Sequence, residues 1–97
     1  MEQFEYNYSA KREVLKKSHV GVVGSGDLEV LVEPANDAAA SVRIRTSAEG
    51  FESTWKAVMD RFFARYDGAV SIEINDAGAT PGVVLLRLQQ AVEASEK

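Results

Sequence analysis

The sequence predicts an α+β domain: a mainly antiparallel sheet of about five strands with two helices packed on it, in the order ββββαβα. Three observations lead there. Apolar and polar residues alternate in several short segments, the period of strands half-buried on one face. Two longer stretches switch to three- and four-residue spacing, which lays one apolar stripe along a helix. These helical stretches fall late in the chain without regular strand-helix alternation, which argues against a doubly wound parallel sheet. Strands joined by short turns are expected to pair antiparallel, and the two helices need a sheet face to bury against.

Residues 2–8 alternate strictly, with Phe4, Tyr6 and Tyr8 on one side and Glu5 and Asn7 on the other, and read as the first strand. Residues 9–17 are polar and basic through Lys11, Arg12, Lys16 and Lys17. They read as a solvated connection, with a weak capacity to meet an anionic partner or a coenzyme phosphate. The second strand is expected over His19–Val23 and the third over Leu28–Val32, with Pro34 ending it because proline cannot donate to a ladder. Residues 36–40 form an alanine-rich loop. Val42 and Ile44 then alternate with Arg43 and Arg45 in a fourth strand over 41–46.

Phe51, Trp55, Val58, Met59, Phe62 and Tyr66 mark a helix over 51–66, bounded by Gly50 and by Asp67-Gly68, where glycine is favoured just past a helix end. Val70, Ile72 and Ile74 give the fifth strand, ended by Asp76-Ala77-Gly78-Ala79. Thr80 and Pro81 open the second helix as N-cap and first helical residue. Val84, Leu85, Leu88 and Val92 supply its apolar side, and residues 94–97 are expected to fray.

A chain of 97 residues, 45% hydrophobic and 27% charged, fits a single globular domain over 1–97. Its net charge of -4 disfavours nucleic-acid backbones. The absence of cysteine removes disulfides, thiolate metal sites and a cysteine nucleophile. No apolar run approaches the roughly 20 residues of a membrane helix, and the N-terminal residues lack the pattern of a secretory signal. A cytoplasmic protein, bound to neither membrane nor nucleic acid, is the expectation.

The chemistry concentrates between the second and third strands. Gly24-Ser25-Gly26-Asp27 reads as a tight turn presenting one hydroxyl between two residues without side chains. The surrounding residues do not make a self-contained catalyst. His19 is the sole histidine and lies in a strand, where a hydrogen-bonded structural role is expected. Ser25 is not in a Gly-x-Ser-x-Gly elbow, the turn lacks a dinucleotide or Walker A pattern, and the acidic residues show no metal-ligand spacing. No catalytic or metal-binding residue is therefore assigned.

The stretch Val20 to Leu31 resembles the modification segment of the acyl carrier (delta) subunit of biotin-independent malonate decarboxylase, and residues 76–93 are similar to that family's C-terminal block. The resemblance implies that Ser25 carries 2'-(5''-phosphoribosyl)-3'-dephospho-coenzyme A covalently, with Gly24, Gly26 and Asp27 supporting the turn. It implies a non-catalytic carrier of acetyl and malonyl thioesters. Its partners would be an acyl-transferase (alpha) subunit, the decarboxylase (beta and gamma) subunits and a prosthetic-group transferase. Familiar acyl carrier proteins place aspartate directly before the serine at a helix start, whereas Asp27 follows Ser25 by two in a hairpin. Asp27 then either orients the turn or helps hold a metal-bound triphosphate donor. Three alternatives stand beside this reading: a citrate lyase-type carrier, an unmodified interaction module and a small serine hydrolase.

Overall fold

Eight elements succeed one another in the computed structural model, which describes residues 1–96. They are β1 (Glu2–Ser9), β2 (Arg12–Glu13), β3 (Ser18–Gly21), β4 (Leu28–Pro34), β5 (Ala39–Thr46), α1 (Glu52–Phe63), β6 (Gly68–Asp76) and α2 (Pro81–Ser95). The main sheet runs β1-β5-β6-β4-β3, with β2 added at the start of β6.

The α+β class and the order of the main elements agree with the sequence. The sheet, however, is mixed. β1 with β5, β3 with β4, and β4 with β6 are antiparallel, while β5 and β6 run parallel. The reason is the connection: α1 carries the chain from the end of β5 back along the layer, so β6 starts from the same end as β5. The expectation from short turns applies to β3 and β4, which are consecutive and antiparallel, whereas the short β2 also joins β6 in parallel.

One face of the sheet is dry. Leu28, Val30, Val32, Val42, Ile44, Val70, Ile72 and Ile74 point into it and are buried against Trp55, Val58, Met59 and Phe62 of α1 and Val84, Leu88, Ala91 and Val92 of α2. Those helix residues are the stripe that the three- and four-residue spacing requires. Alternate residues such as Arg43, Glu73 and Leu31 share the opposite face, in register across the strands and at least partly exposed. At the β1 edge Tyr8 stacks on Phe63 with ring centroids 4.3 Å apart and donates a hydrogen bond to Asp60 at 2.8 Å.

Three local expectations need correction. The segment after β1 is anchored: Ala10 and Val14 are buried, β2 pairs with β6, and Arg12 bonds Asp67 and Glu96 at 2.6 Å each. Helix α1 stops at Phe63, and Gly68 belongs to β6 without a positive φ. A side chain at Gly68 would collide with the Tyr66 hydroxyl and Val14, so this glycine makes room for a close contact and ends no helix. The chain does not fray at residue 94. Helix α2 runs to Ser95, whose hydroxyl is buried and donates to the Val92 carbonyl, and Glu96 holds Arg12; Lys97 lies outside the described residues.

Thr80 and Pro81 do open α2 as the sequence requires, with the Thr80 hydroxyl accepting from the Val83 N–H. The end of β6, the start of β4 and the end of β5 come together in the row Leu28, Asp76, Thr46. The loop holding Ser25 leaves from this end of the sheet. Arg12 pairs at the other end of β6, roughly 25 Å away at the rise of an extended strand.

Candidate functional site

The loop over residues 22–27 is longer than the tight turn expected. Strand β3 ends at Gly21, where φ is +84° and a side chain would collide with the Leu28 carbonyl oxygen. Only glycine tolerates both demands. The ladder therefore opens two residues early, and Val22 and Val23 project from it, 63% and 60% exposed.

Within the loop the Asp27 N–H donates to the Gly24 carbonyl at 2.9 Å and closes a β-turn with Ser25 and Gly26 in its middle. Gly26 has φ +75°, and a side chain there would meet nothing within 4 Å, so the space beside Ser25 is open. Ser25 is exposed, and its hydroxyl makes no hydrogen bond among the described residues.

This free hydroxyl sits on a held frame. The Gly26 N–H donates to the Ala77 carbonyl at 2.8 Å, and the Ala77 N–H returns a bond to the Asp27 carbonyl at 2.9 Å. The Asp27 side chain accepts from the Leu28 N–H at 2.8 Å and from Arg87 of α2 through Nε at 3.1 Å and Nη2 at 3.0 Å. Two-pronged guanidinium contacts fix orientation as well as charge. Ala77 is positioned in turn by Asp76, which is 6% exposed and accepts from the Thr46 hydroxyl at 2.9 Å and from the Gly78 and Ala79 N–H groups at 3.0 Å each.

The structure thus adds Asp76, Thr46 and Arg87 to the four residues singled out in sequence. Asp76 before Ala-Gly-Ala is a local turn signal of a familiar kind. Arg87 gave a weaker one, a charge beside the apolar side of α2, and its partner lies 60 residues away.

Arg87, followed by the Leu28 N–H, holds the Asp27 carboxyl below the usual aspartate range. A folded pKa below the unfolded one means that the interaction stabilises the fold above about pH 4 and is lost as pH falls through the lowered value. A carboxyl-carbon NMR titration is expected to show a depressed midpoint for Asp27. In Arg87→Ala the midpoint returns towards that of an ordinary aspartate. An unchanged midpoint in that variant would refute the clamp.

His19 is bonded elsewhere. Its Nε2 lies 2.9 Å from Glu29, whose other carboxylate oxygen accepts from Asn75 at 2.9 Å. It gives Ser25 no base, which argues against the hydrolase alternative. Among the described residues, no group of three or more acidic or histidine side chains is arranged to hold a metal ion, and no helix is long and apolar enough to cross a membrane.

The family described as malonate decarboxylase delta subunit (MdcD) matches residues 15–95. The chain belongs to this family. A malonate decarboxylase acyl carrier protein of Stutzerimonas stutzeri is 44% identical over 94 residues, covering 96% of this chain and 95% of the relative. One from Stenotrophomonas maltophilia is 59% identical over 76 residues, covering 76% and 72%. Among solved structures, a chain in the crystal structure of a Pseudomonas malonate decarboxylase hetero-tetramer in complex with malonate superposes with a TM-score of 0.92. It is 42% identical and covered to 98%, with 97% of this chain aligned. The delta subunit is an acyl carrier of malonate decarboxylase and not a catalytic subunit, in keeping with a site that offers a hydroxyl without a base. An acyl carrier of this kind implies a prosthetic group.

Proposed function

We propose that Ser25 is the attachment point of 2'-(5''-phosphoribosyl)-3'-dephospho-coenzyme A, and that the loaded subunit carries acetyl and malonyl groups between an acyl-transferase (alpha) subunit and the decarboxylase (beta and gamma) subunits. The observation that carries this reading is the free Ser25 hydroxyl on a loop braced from two sides. The residues fit the group. Gly26 leaves open space beside the oxygen, and the exposed loop tip lets a prosthetic-group transferase approach the backbone closely.

When bound, the group supplies a thiol on which acyl groups are held as thioesters. This chain's residues position it. Asp27 and Arg87 orient the turn, and the Gly26 and Ala77 backbone bonds keep the loop from folding back over the serine. The Asp27 carboxylate is committed to Arg87 and Leu28, which favours the turn-orienting role over holding a metal-bound triphosphate donor. Val22 and Val23 flank the serine with exposed apolar surface that a partner subunit would bury.

The test is intact-mass measurement of the protein co-expressed with its genomic neighbours, followed by peptide mapping. One phosphoribosyl-dephospho-coenzyme A on the peptide containing Ser25, with or without an acetyl group, is the expected result. An unmodified mass in a complex that still decarboxylates malonate would overturn the reading.

A further inference from the structure

An apolar groove of about 320 Å³ lies between the N-terminal parts of α1 and α2, lined among others by Phe51, Trp55, Val58, Ala79 and Val84. Phe51 is 50% exposed although it begins the apolar stripe of α1, so about half of its apolar surface is left open to solvent beside the groove. The groove is tied to the serine loop. Gly78 and Ala79 form part of its wall, and Ala77 exchanges hydrogen bonds with Gly26 and Asp27. Bond geometry along that path keeps the Ser25 and Ala79 Cα atoms within about 15 Å of each other.

We propose that this groove seats the pantetheine end of the arm on Ser25, shielding its thiol or acyl thioester between visits to the partner active sites. The inference rests on the carrier reading above. An apolar cleft with few polar groups suits a chain of methyl, methylene and amide units. The threonines Thr54 and Thr80 at the groove offer hydroxyls for the amides. Tethering makes weak affinity sufficient: at an effective concentration of about 1 mM, a groove with Kd near about 1 mM keeps the arm seated about half of the time. Such occupancy protects the thiol without trapping it.

The test uses the loaded carrier, its added mass on Ser25 confirmed first. The free thiol is expected to alkylate with iodoacetamide at least about twofold more slowly than that of coenzyme A in solution, the protection that half-occupancy gives. Thr54→Trp, at an exposed helix position facing the groove, fills it and returns the rate to the solution value. Independently of any variant, the Trp55 indole and Ala79 amide NMR signals shift between unloaded and loaded wild-type protein. Alkylation at the solution rate with neither signal shifted would overturn the groove assignment while leaving the carrier reading intact. Shifts that grow with protein concentration in the unloaded form would overturn it in favour of a second copy in the groove. Absence of the added mass would overturn the carrier reading itself, and this inference with it.

Discussion

A Ser25→Ala carrier, co-expressed and assembled with its partner subunits, is expected to gain no prosthetic-group mass and to support no malonate decarboxylation. Its melting temperature should stay near that of wild type, because the exposed hydroxyl has no partner among the described residues and such surface changes are within about 0.5 kcal/mol. The combination is what distinguishes an attachment site from a structural serine. A structural turn residue would alter stability and leave turnover in place. Retained decarboxylation in the variant would remove Ser25 from the mechanism, whatever its mass.

Asp76→Ala is expected to have the opposite profile. The substitution strips the partner from the buried Thr46 hydroxyl and from the Gly78 and Ala79 N–H groups. Leaving such donors unsatisfied should destabilise the fold by about 3 kcal/mol, or about 12–24 °C in Tm for a domain of this size. Local effects should precede global unfolding. With the 77–79 loop released, the Gly26 N–H loses its fixed acceptor, so its hydrogen exchange accelerates together with that of Gly78 and Ala79. Asp76→Asn retains one carbonyl acceptor and should fall between the two. A variant that melts like wild type, with Gly26 exchange unchanged, would show that the serine loop holds its shape without Asp76.

The two substitutions separate functions that lie close together in space. On the proposed reading Ser25 supplies the reactive atom, while Asp76 and Arg87 hold the loop that presents it. The frame is assembled from the loop after β3, the loop after β6 and one turn of α2. The proposed attachment calls for this division, because a hydroxyl offered to a transferase must be free while the loop presenting it must not collapse. The glycines serve both demands: Gly21 lets the chain leave the ladder against the Leu28 carbonyl, and Gly26 keeps the space beside the serine clear.

Much of this was legible in the chain because it depends on local periodicity. The strict alternation of residues 2–8, the stripe from Trp55 to Phe62, and Thr80-Pro81 at the start of α2 each report on a few neighbouring residues. So does the Gly-Ser-Gly turn, whose glycines have few other uses between two apolar runs. The sequence by itself therefore determined the α+β class, the order of the main elements, the family and the serine to examine.

What it did not determine are the features that depend on residues far apart in the chain. Whether β5 and β6 run parallel depends on where α1 returns the chain, and residues 10–14 become anchored only because β6 and Glu96 arrive beside them. Arg87 finds Asp27 across 60 positions, and Thr46 finds Asp76 across 30. Such pairs leave no periodic trace, since a single charge or hydroxyl looks the same whether solvated or clamped. The tertiary structure alone decided them, because burial raises the cost of leaving a polar group without a partner and so selects the few geometries in which each is met.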